Sequence, residues 1–356
     1  MRLADIAHVR RGNHSQGDVI MKTLFSFLML CTALGAQASA QSSSENLQKY
    51  VPVLPSVKAS FWQIDPKLGY AVKSVGGGVY VISDNGWQSA FLVTGEGVIV
   101  FDAPASFGKS IPSAISKVTD KPVKMLIYSH AHKDHIGGSA AFNNIKDLKI
   151  VALDTVSDFL KEMKDPDRLL PNVTFKTEKT LALGGKTVEL TRHDYHSNEG
   201  DLFIYVPQAK FLMAVDSVTA GYAPFQGFDI TTNFHQYMKV FDELLAYKFE
   251  TFVGGHLTST GTRQDVEITK EFTMDVYSTV KRIHNNMDAG AVTSEAVKTI
   301  GPDNEFLLFK VLLDRVTSDS VKELQPRWIG RLAGVDVWLE SHVRTALIYV
   351  RWDDKE

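Results

Sequence analysis

The chain has 356 residues, 44% of them hydrophobic, with 38 basic and 41 acidic side chains and a formal net charge of -3. This length and composition are sufficient for a substantial core in one large domain or two smaller ones, and they exclude a disordered chain as the default. The slightly acidic balance provides no basic surface for a polyanion, so we do not expect a nucleic acid partner.

An apolar run follows a basic residue near the amino terminus. Lys22 precedes apolar residues 24–36, and the small residues Ala38-Ser39-Ala40 follow. This order is typical of a secretory signal peptide, and the run is too short for a lasting membrane span. We expect residues 1–40 to comprise an upstream segment and a signal peptide cleaved after Ala40, which predicts a periplasmic or secreted protein without stable membrane insertion. A buried core helix is the alternative, and the start codon, Met1 or Met21, stays open.

The single cysteine, Cys31, lies inside this predicted signal segment. After cleavage no thiol would remain for catalysis, a disulfide or metal binding. Leu30 before it is larger than a lipoprotein cleavage site requires, which argues against a lipid anchor. Any metal site in the mature chain would therefore use nitrogen and oxygen ligands.

Strand-like and helix-like segments alternate after a polar lead-in at residues 41–56. Short β-rich runs separated by Gly or Asn predict an antiparallel meander, and later apolar strands alternate with helical segments, which indicates layered sheets and helices. The predicted strands are 79–82, 90–93, 98–101, 123–128, 150–153, 186–190, 202–206, 211–215 and 251–253, with helices near 110–118, from Gly138, at 155–163 and at 234–245.

The carboxyl-terminal part of the sequence is mostly helical. Helical patterns cover 267–282, 294–300 and 306–316, and a strand-like run at 345–350 ends the chain. We expect residues 264–356 to form an accessory region. Three roles stay open for it: covering the site, joining two chains into a homodimer, or completing the core.

Four side chains of the metal-ligand type follow the apolar strand 123–128 within six positions: His130, His132, Asp134 and His135. On a tight turn, His130 and His132 can project together while Asp134 and His135 project to a neighbouring point, as two adjacent metal sites require. Gly137-Gly138 then lets the backbone leave the turn. A lone histidine is usually an ordinary core or surface residue, whereas four ligand types at this spacing indicate a metal site.

This segment resembles the H-x-H-x-D-H signature of the metallo-β-lactamase superfamily, and the resemblance covers roughly residues 78–263. It implies an α/β fold, a four-layer αββα sandwich at residues 57–263, with the metals at one edge of two packed sheets. The helical region at 264–356 would extend this domain.

The resemblance also implies further ligands downstream in a set order. His196 stands before the strand 202–206, Asp216 closes the strand 211–215, and His256 follows the strand 251–253. The turn after His196 is one residue longer than the superfamily usually has, so His193 is its alternative. The full predicted ligand set is His130, His132, Asp134, His135, His196, Asp216 and His256.

A ligand set of nitrogen and oxygen suits two zinc ions, although iron or manganese is not excluded. The resemblance implies that a hydroxide held between the metals attacks a carbonyl or phosphoryl centre, with Asp134 as the catalytic residue that orients it and carries a proton. Asp102 resembles a recurrent aspartate of the superfamily near the ligands, and an ordinary turn carboxylate is its alternative.

True β-lactamases of this superfamily generally have cysteine or serine where this chain has Asp216. The aspartate favours hydrolysis of a small-molecule lactone, ester, thioester or organophosphate. The alternatives are a β-lactamase, an enzyme like the single-iron sulfur dioxygenases, and a metal-binding protein without catalysis. Tyr222, Phe225 and Phe228 either wall a substrate pocket or pack on the carboxyl-terminal helices. No role is assigned to His235, His284 and His342.

Overall fold

The computed structural model describes residues 47, 49–257 and 260–354. The chain from Val53 onward forms one compact unit. The predicted signal peptide, its cleavage site and Cys31 lie outside the described residues. Within the described part of the chain, no helix combines the length and apolarity needed to cross a membrane.

The larger sheet has seven strands that lie side by side in chain order, antiparallel from the first to the fourth and parallel from the fourth to the seventh. The predicted meander is confirmed as its second to fourth strands. Residues Val98–Phe101 are buried on both faces, as a central strand requires. The strands are β1 (Ala71–Gly76), β2 (Val79–Ser83), β3 (Gln88–Val93), β4 (Val98–Phe101), β5 (Val123–Ile127), β6 (Lys149–Leu153) and β7 (Val173–Phe175).

The second sheet has five strands in the order β12-β11-β10-β9-β8, of which only the β11–β12 pair is parallel. Its inner face packs on the larger sheet, where the rings of Phe101 and Phe211 stack with centroids 6.1 Å apart. The strands are β8 (Glu178–Leu183), β9 (Lys186–His193), β10 (Asp201–Val206), β11 (Phe211–Ala214) and β12 (Thr251–Val253).

Helices cover the outer faces of both sheets. Buried side chains of the early helices belong to the same hydrophobic cluster as the strands of the larger sheet, and those of the later helices form a second core on the outer face of the five-stranded sheet. This confirms the predicted α/β sandwich with a helical carboxyl-terminal region. The helices are α1 (Pro55–Ser60), α2 (Ile111–Ser116), α3 (Lys133–Ile136), α4 (Asp154–Met163), α5 (Phe234–Ala246), α6 (Arg263–Asn286), α7 (Ala289–Ile300), α8 (Glu305–Trp328) and α9 (Val335–Trp352).

Two local predictions are wrong. Residues 345–350, predicted as a strand, belong to helix α9, where Leu339, Val343 and Ala346 recur at helical spacing and are buried in the second core. The β-branched and aromatic residues there fit a strand locally, but packing against α6 and α8 decides the conformation. The helix predicted from Gly138 is instead a short 3-10 turn at Ser139–Phe142, and the preceding helix α3 already ends at Ile136.

The predicted domain boundary after residue 263 stays a prediction. Val240 before it and Val276 after it belong to the same hydrophobic cluster. Helix α6 begins at this boundary with a capping box, in which the side chains of Thr262 and Asp265 bind each other's backbone N–H groups.

Candidate metal centre

The turn that carries the first histidines is anchored to the neighbouring strands. Asp102, at the end of β4, accepts a hydrogen bond of 2.7 Å from the Ser129 N–H at the end of β5. The carbonyl of Ser129 accepts another of 2.8 Å from the N–H of Leu202 in the second sheet. His130, the next residue, is completely buried. The turn therefore starts at the edge where both sheets meet, and the hydrogen bond from Ser129 to Asp102 holds its first residues in place.

Four of the predicted ligands form a first group: His130, His132, His196 and Asp216 offer ligand atoms that all lie within 4.8 Å of one another. Nε2 of His196 lies 3.1 Å from Nδ1 of His132 and 3.2 Å from Oδ2 of Asp216. Nε2 of His130 lies 3.4 Å from the same carboxylate oxygen. Three imidazole nitrogens and a carboxylate thus converge on one small volume.

Asp134, His135 and His256 form a second group with the same mutual limit of 4.8 Å. Nε2 of His135 lies 3.0 Å from Nε2 of His256 and 3.3 Å from Oδ2 of Asp134. Oδ2 of Asp134 is also 3.5 Å from Nε2 of His256. All seven predicted ligands therefore lie in these two groups.

Asp216 links the two groups. Its Oδ2 also lies 3.4 Å from Nε2 of His135, and its Oδ1 lies 3.0 Å from Nε2 of His256. The residue follows β11 with a left-handed φ of 59°, and its N–H donates to the carbonyl of Gly254 at the end of β12. The parallel pairing of β11 with β12 thus brings Asp216 and His256 to the same edge.

Burial and mutual interaction shift the pKa values of the cluster. Burial and, to a smaller extent, the adjacent His196 together lower the pKa of His132 to about 4. Burial alone would raise the pKa of Asp216, but His135, His196 and His256 outweigh it and hold that pKa well below its usual range. Burial opposes protonation of His196, yet the Asp216 carboxylate overcomes it and raises the pKa of His196 to about 9. The carboxylates thus attract positive charge to the cluster, and a divalent cation displaces such protons when it binds.

The cluster also contains buried polar atoms without a hydrogen-bond partner among the described residues. They include Nε2 of His130, whose distance to the Asp216 carboxylate is 3.4 Å. Such atoms carry a desolvation cost unless they are hydrogen-bonded or bound to a metal. A donor set of imidazole nitrogens and carboxylate oxygens suits zinc and similar divalent ions. The residues therefore fit a divalent metal.

The cluster opens to solvent on the side of the second group. The Asp134 side chain is 42% exposed and that of His256 is 26% exposed, whereas His130, His135 and His196 are buried. Trp87 lies at this opening: its Nε1–H donates to Oδ2 of Asp134 over 3.4 Å, and its ring centroid is 6.1 Å from that of His256. Sequence reasoning missed Trp87, because no local pattern relates it to the histidine motif.

A second supporting residue missed by sequence reasoning is Asp201. Its carboxylate accepts hydrogen bonds from the N–H groups of His196, at 2.9 Å, and Ser197. Burial raises the pKa of Asp201 to about 7. An aspartate that closes the loop after a candidate ligand is a recognisable turn signal, and it could have indicated this role.

The structure brings His196, and not His193, into the cluster. Nδ1 of His193 lies 2.6 Å from Oε2 of Glu243, and its ring stacks on Phe203 with centroids 3.6 Å apart. Of the other histidines, His342 is buried in the second core and accepts a hydrogen bond from the Phe228 N–H. Nδ1 of His235 lies 2.8 Å from the hydroxyl of Tyr349.

The three aromatic residues after Asp216 have different environments. Phe228 is fully buried in the second core, so packing on the carboxyl-terminal helices is the confirmed interpretation for it. Phe225 is 50% exposed and lies 4.8 Å from Trp338 of α9 between ring centroids. Tyr222 forms an isolated bridge with Ala333.

Comparison with known proteins agrees with this architecture. Residues 86–256 match the Metallo-beta-lactamase superfamily. Metallo-beta-lactamase IND-1 of Chryseobacterium indologenes is 27% identical over 195 residues, which cover 51% of this chain and 80% of that protein. Residues 86–256, which match the superfamily, contain all seven predicted ligands.

Solved structures share the fold. A metallo-beta-lactamase from Pontibacter korlensis has 20% identity and a TM-score of 0.50, over 57% of this chain and 97% of that one. A stereoselective inverting sec-alkylsulfatase from Pseudomonas sp. has 15% identity and a TM-score of 0.54, over 80% of this chain and 50% of that one. Residues 86–256 of the chain therefore belong to the metallo-β-lactamase superfamily, whose members are generally metal-dependent hydrolases.

Proposed function

We propose that this chain is an exported dinuclear zinc hydrolase that acts on a small-molecule lactone, ester or related carbonyl or phosphoryl compound. The observation that carries the proposal is the position of Asp216. Its two oxygens lie 3.0 to 3.4 Å from imidazole nitrogens of both ligand groups. A carboxylate in this position suits two cations that share one ligand, as two-metal hydrolytic sites require.

In this proposal each ligand group holds one ion. His130, His132 and His196 would hold the first, Asp134, His135 and His256 would hold the second, and Asp216 would contribute to both. When bound, the zinc ions would supply Lewis acidity toward the substrate oxygen and would lower the pKa of a bound water, so that hydroxide is available at neutral pH. Zinc is preferred because the set has no thiolate and the reaction needs no redox partner.

The chain's own acid and base groups complete the chemistry at the opening. Asp134 is the most exposed ligand, and its Oδ2 accepts the Trp87 N–H. We assign to the Asp134 carboxylate the orientation of the attacking water and the transfer of a proton to the leaving group. Burial would raise the pKa of Asp134, but His135 and His256 lower it well below its usual range, so its role as a ligand precedes its role as a proton carrier.

The decisive experiment combines metal analysis with hydrolysis. The purified mature protein would be assayed for zinc, iron and manganese, and then tested on a lactone, an aryl ester, an aryl phosphotriester, a β-lactam and an alkyl sulfate, with and without chelator. We expect about two zinc ions per chain and chelator-sensitive hydrolysis of a lactone or ester. Asp216→Asn should lose at least one ion and the activity. One iron per chain, or full zinc loading without turnover on any substrate, would contradict the proposal.

A β-lactamase is the second candidate, favoured by the 27% identity to a metallo-beta-lactamase. Asp216 argues against it, because cysteine or serine is general at this position in the true β-lactamases of the superfamily. The β-lactam in the panel separates the two candidates. A rate on the β-lactam that exceeds every ester and lactone rate would select the second.

Export and assembly are separate parts of the proposal. Export rests on Lys22, the apolar run after it and Ala38-Ser39-Ala40. Amino-terminal sequencing of the protein from the periplasm or medium should begin at Gln41. The expected partner is the small-molecule substrate, without nucleic acid, and light scattering of the purified protein would show whether the helical region makes a homodimer.

A further inference from the structure

The surroundings of the opening consist of loops that hold one another in place. We call residues 56–62, 84–87, 217–233, 257, 260–262 and 333–338 the mouth segments. The N–H of Leu257, next to His256, donates to the carbonyl of Gly86 at 2.9 Å. The N–H of Trp62 donates to Oδ1 of Asn85 at 2.9 Å. These contacts place Trp62 and Leu257 beside the loop that carries Trp87.

The long mouth segment 217–233 starts and ends at the metal centre. It follows Asp216 directly, and near its end the N–H of Thr232 donates to the carbonyl of His196 at 3.2 Å. Between these points the N–H of Ala223 donates to the carbonyl of Ala333, just before α9. The helical region therefore fixes a loop that borders the site.

The mouth segments are poor in cations. In the sequence they contain a single basic residue, Lys58 on α1. Two basic residues beside the histidine turn are engaged in ion pairs. Nζ of Lys133 lies 3.2 Å from Asp165 and 3.0 Å from Asp167. The guanidinium of Arg168 donates to Asp165 and to the carbonyl of Ala131.

Arg263, which directly follows residue 262 of the mouth segments, is also engaged in hydrogen bonds. Its guanidinium donates to the carbonyls of Tyr247 and Leu245, at 2.8 Å each. Among the described residues of the mouth segments, Lys58 is therefore the one basic side chain that a substrate carboxylate could pair with.

The same segments expose large apolar side chains. Leu257 is 38% exposed although it adjoins His256, and Phe225 keeps half of its surface exposed beside Trp338. Phe61 is also exposed, and Trp87 is half-buried at the opening. Apolar and aromatic walls with few polar groups are typical of sites that bind the apolar body of a small molecule.

We infer that this site takes uncharged substrates with an apolar body and discriminates against those that carry a carboxylate away from the reacting group. The inference rests on the proposed hydrolase function. The zinc charges would serve the reacting group, so a remote carboxylate would lose hydration at an apolar mouth without gaining an ion pair. Leu257 and Phe225 are the specificity-determining residues it names.

The test uses two esters with the same leaving group: 4-nitrophenyl butyrate, which is neutral, and mono-4-nitrophenyl succinate, which carries a carboxylate at the far end of a similar chain. For the zinc-loaded mature enzyme we expect kcat/KM to be about tenfold or more higher for the butyrate, mainly through KM. Equal values, or a preference for the succinate, would overturn the inference.

Charge variants make the test specific. Leu257→Arg adds a cation at the mouth and should reduce the butyrate-to-succinate ratio of kcat/KM about two- to fivefold at low salt. Leu257→Gln, its uncharged control, should not reduce this ratio. Lys58→Met should leave the ratio unchanged. A selective loss of succinate hydrolysis in that variant would show that Lys58 already serves acidic substrates, against the inference.

A binding comparison separates this inference from the proposed function. The amide analogues of the two esters, N-(4-nitrophenyl)butanamide and N-(4-nitrophenyl)succinamate, would be titrated into the zinc-loaded protein. Tighter binding of the neutral amide supports the inference even if neither ester turns over, in which case only the hydrolase proposal fails. Tighter binding of the succinamate overturns the inference even if both esters are hydrolysed.

Discussion

Nε2 of His196 lies 3.2 Å from Oδ2 of Asp216, whereas His193, three residues earlier at the end of β9, pairs with Glu243. We expect His196→Gln to reduce zinc binding by about one ion and turnover by at least about 100-fold. His193→Gln, which can still bind Glu243, should change neither. Elemental analysis and ester hydrolysis of the two variants check this. Zinc loss in the His193 variant alone would show that His193, and not His196, is the metal ligand.

Asp102 supports the histidine turn through the Ser129 N–H. Asp102→Ala leaves this buried donor without a partner and should lower the free energy of unfolding by about 1–3 kcal/mol. Asp102→Asn keeps an acceptor oxygen and should cost less. Urea denaturation of the zinc-free proteins measures both. Equal losses in the two variants would show that the hydrogen bond to Ser129 is not the source of stability.

Gly254 stands where two loops of the metal centre touch. A Cβ atom at this position would lie 1.8 Å from the carbonyl oxygen of Val218, which belongs to the backbone just after Asp216. Gly254→Ala should therefore displace Asp216, lower zinc content and destabilise the fold by more than about 2 kcal/mol.

Gly290→Ala is the matched control for Gly254→Ala. Gly290 lies near the start of α7, and its added Cβ would approach nothing closer than 3.4 Å. Because alanine favours a helix over glycine, this variant should be about 0.5 kcal/mol more stable and fully active. Thermal unfolding and zinc analysis of both variants give the comparison. A stable, zinc-loaded Gly254→Ala protein would refute the close packing.

His342 makes stability depend on pH. Burial lowers its pKa to about 3, which the carbonyl of Pro224 only partly opposes. The unfolded chain binds the proton near the ordinary pKa of about 6.5, so stability is complete above that pH and falls as the pH drops toward 3. Between pH 7 and pH 5 the wild-type protein should lose about 2 kcal/mol relative to His342→Asn, whose side chain can still accept from Phe228.

This pH dependence is measured as the difference in unfolding free energy between the wild type and His342→Asn at each pH. Titrations that both proteins share, including those of the metal centre, cancel in this difference. A difference that stays constant from pH 7 to pH 5 would mean that His342 has the same pKa in the folded protein as in the unfolded chain.

Much of the site was predictable because its information is local. His130, His132, Asp134 and His135 occupy one turn after an apolar strand, and their convergence needs only the geometry of that turn. The meander and the β11 and β12 strands were also predictable, since alternating and fully apolar runs report burial directly. Asp216 and His256 were placed by their positions at strand ends together with the family resemblance.

Other features depended on contacts between distant segments. Both His193 and His196 precede β10, and only the pairing of His193 with Glu243 on α5 removes it from the cluster. Trp87 reaches Asp134 because the turn between β2 and β3 lies at the same edge of the sheet as the turn after β5. Residues 345–350 have strand-like composition, but burial against α6 and α8 makes them helical. The conformation and contacts of such segments depend on the surfaces that they bury against distant parts of the chain. These surfaces come together only when the chain folds, so local sequence does not reveal them.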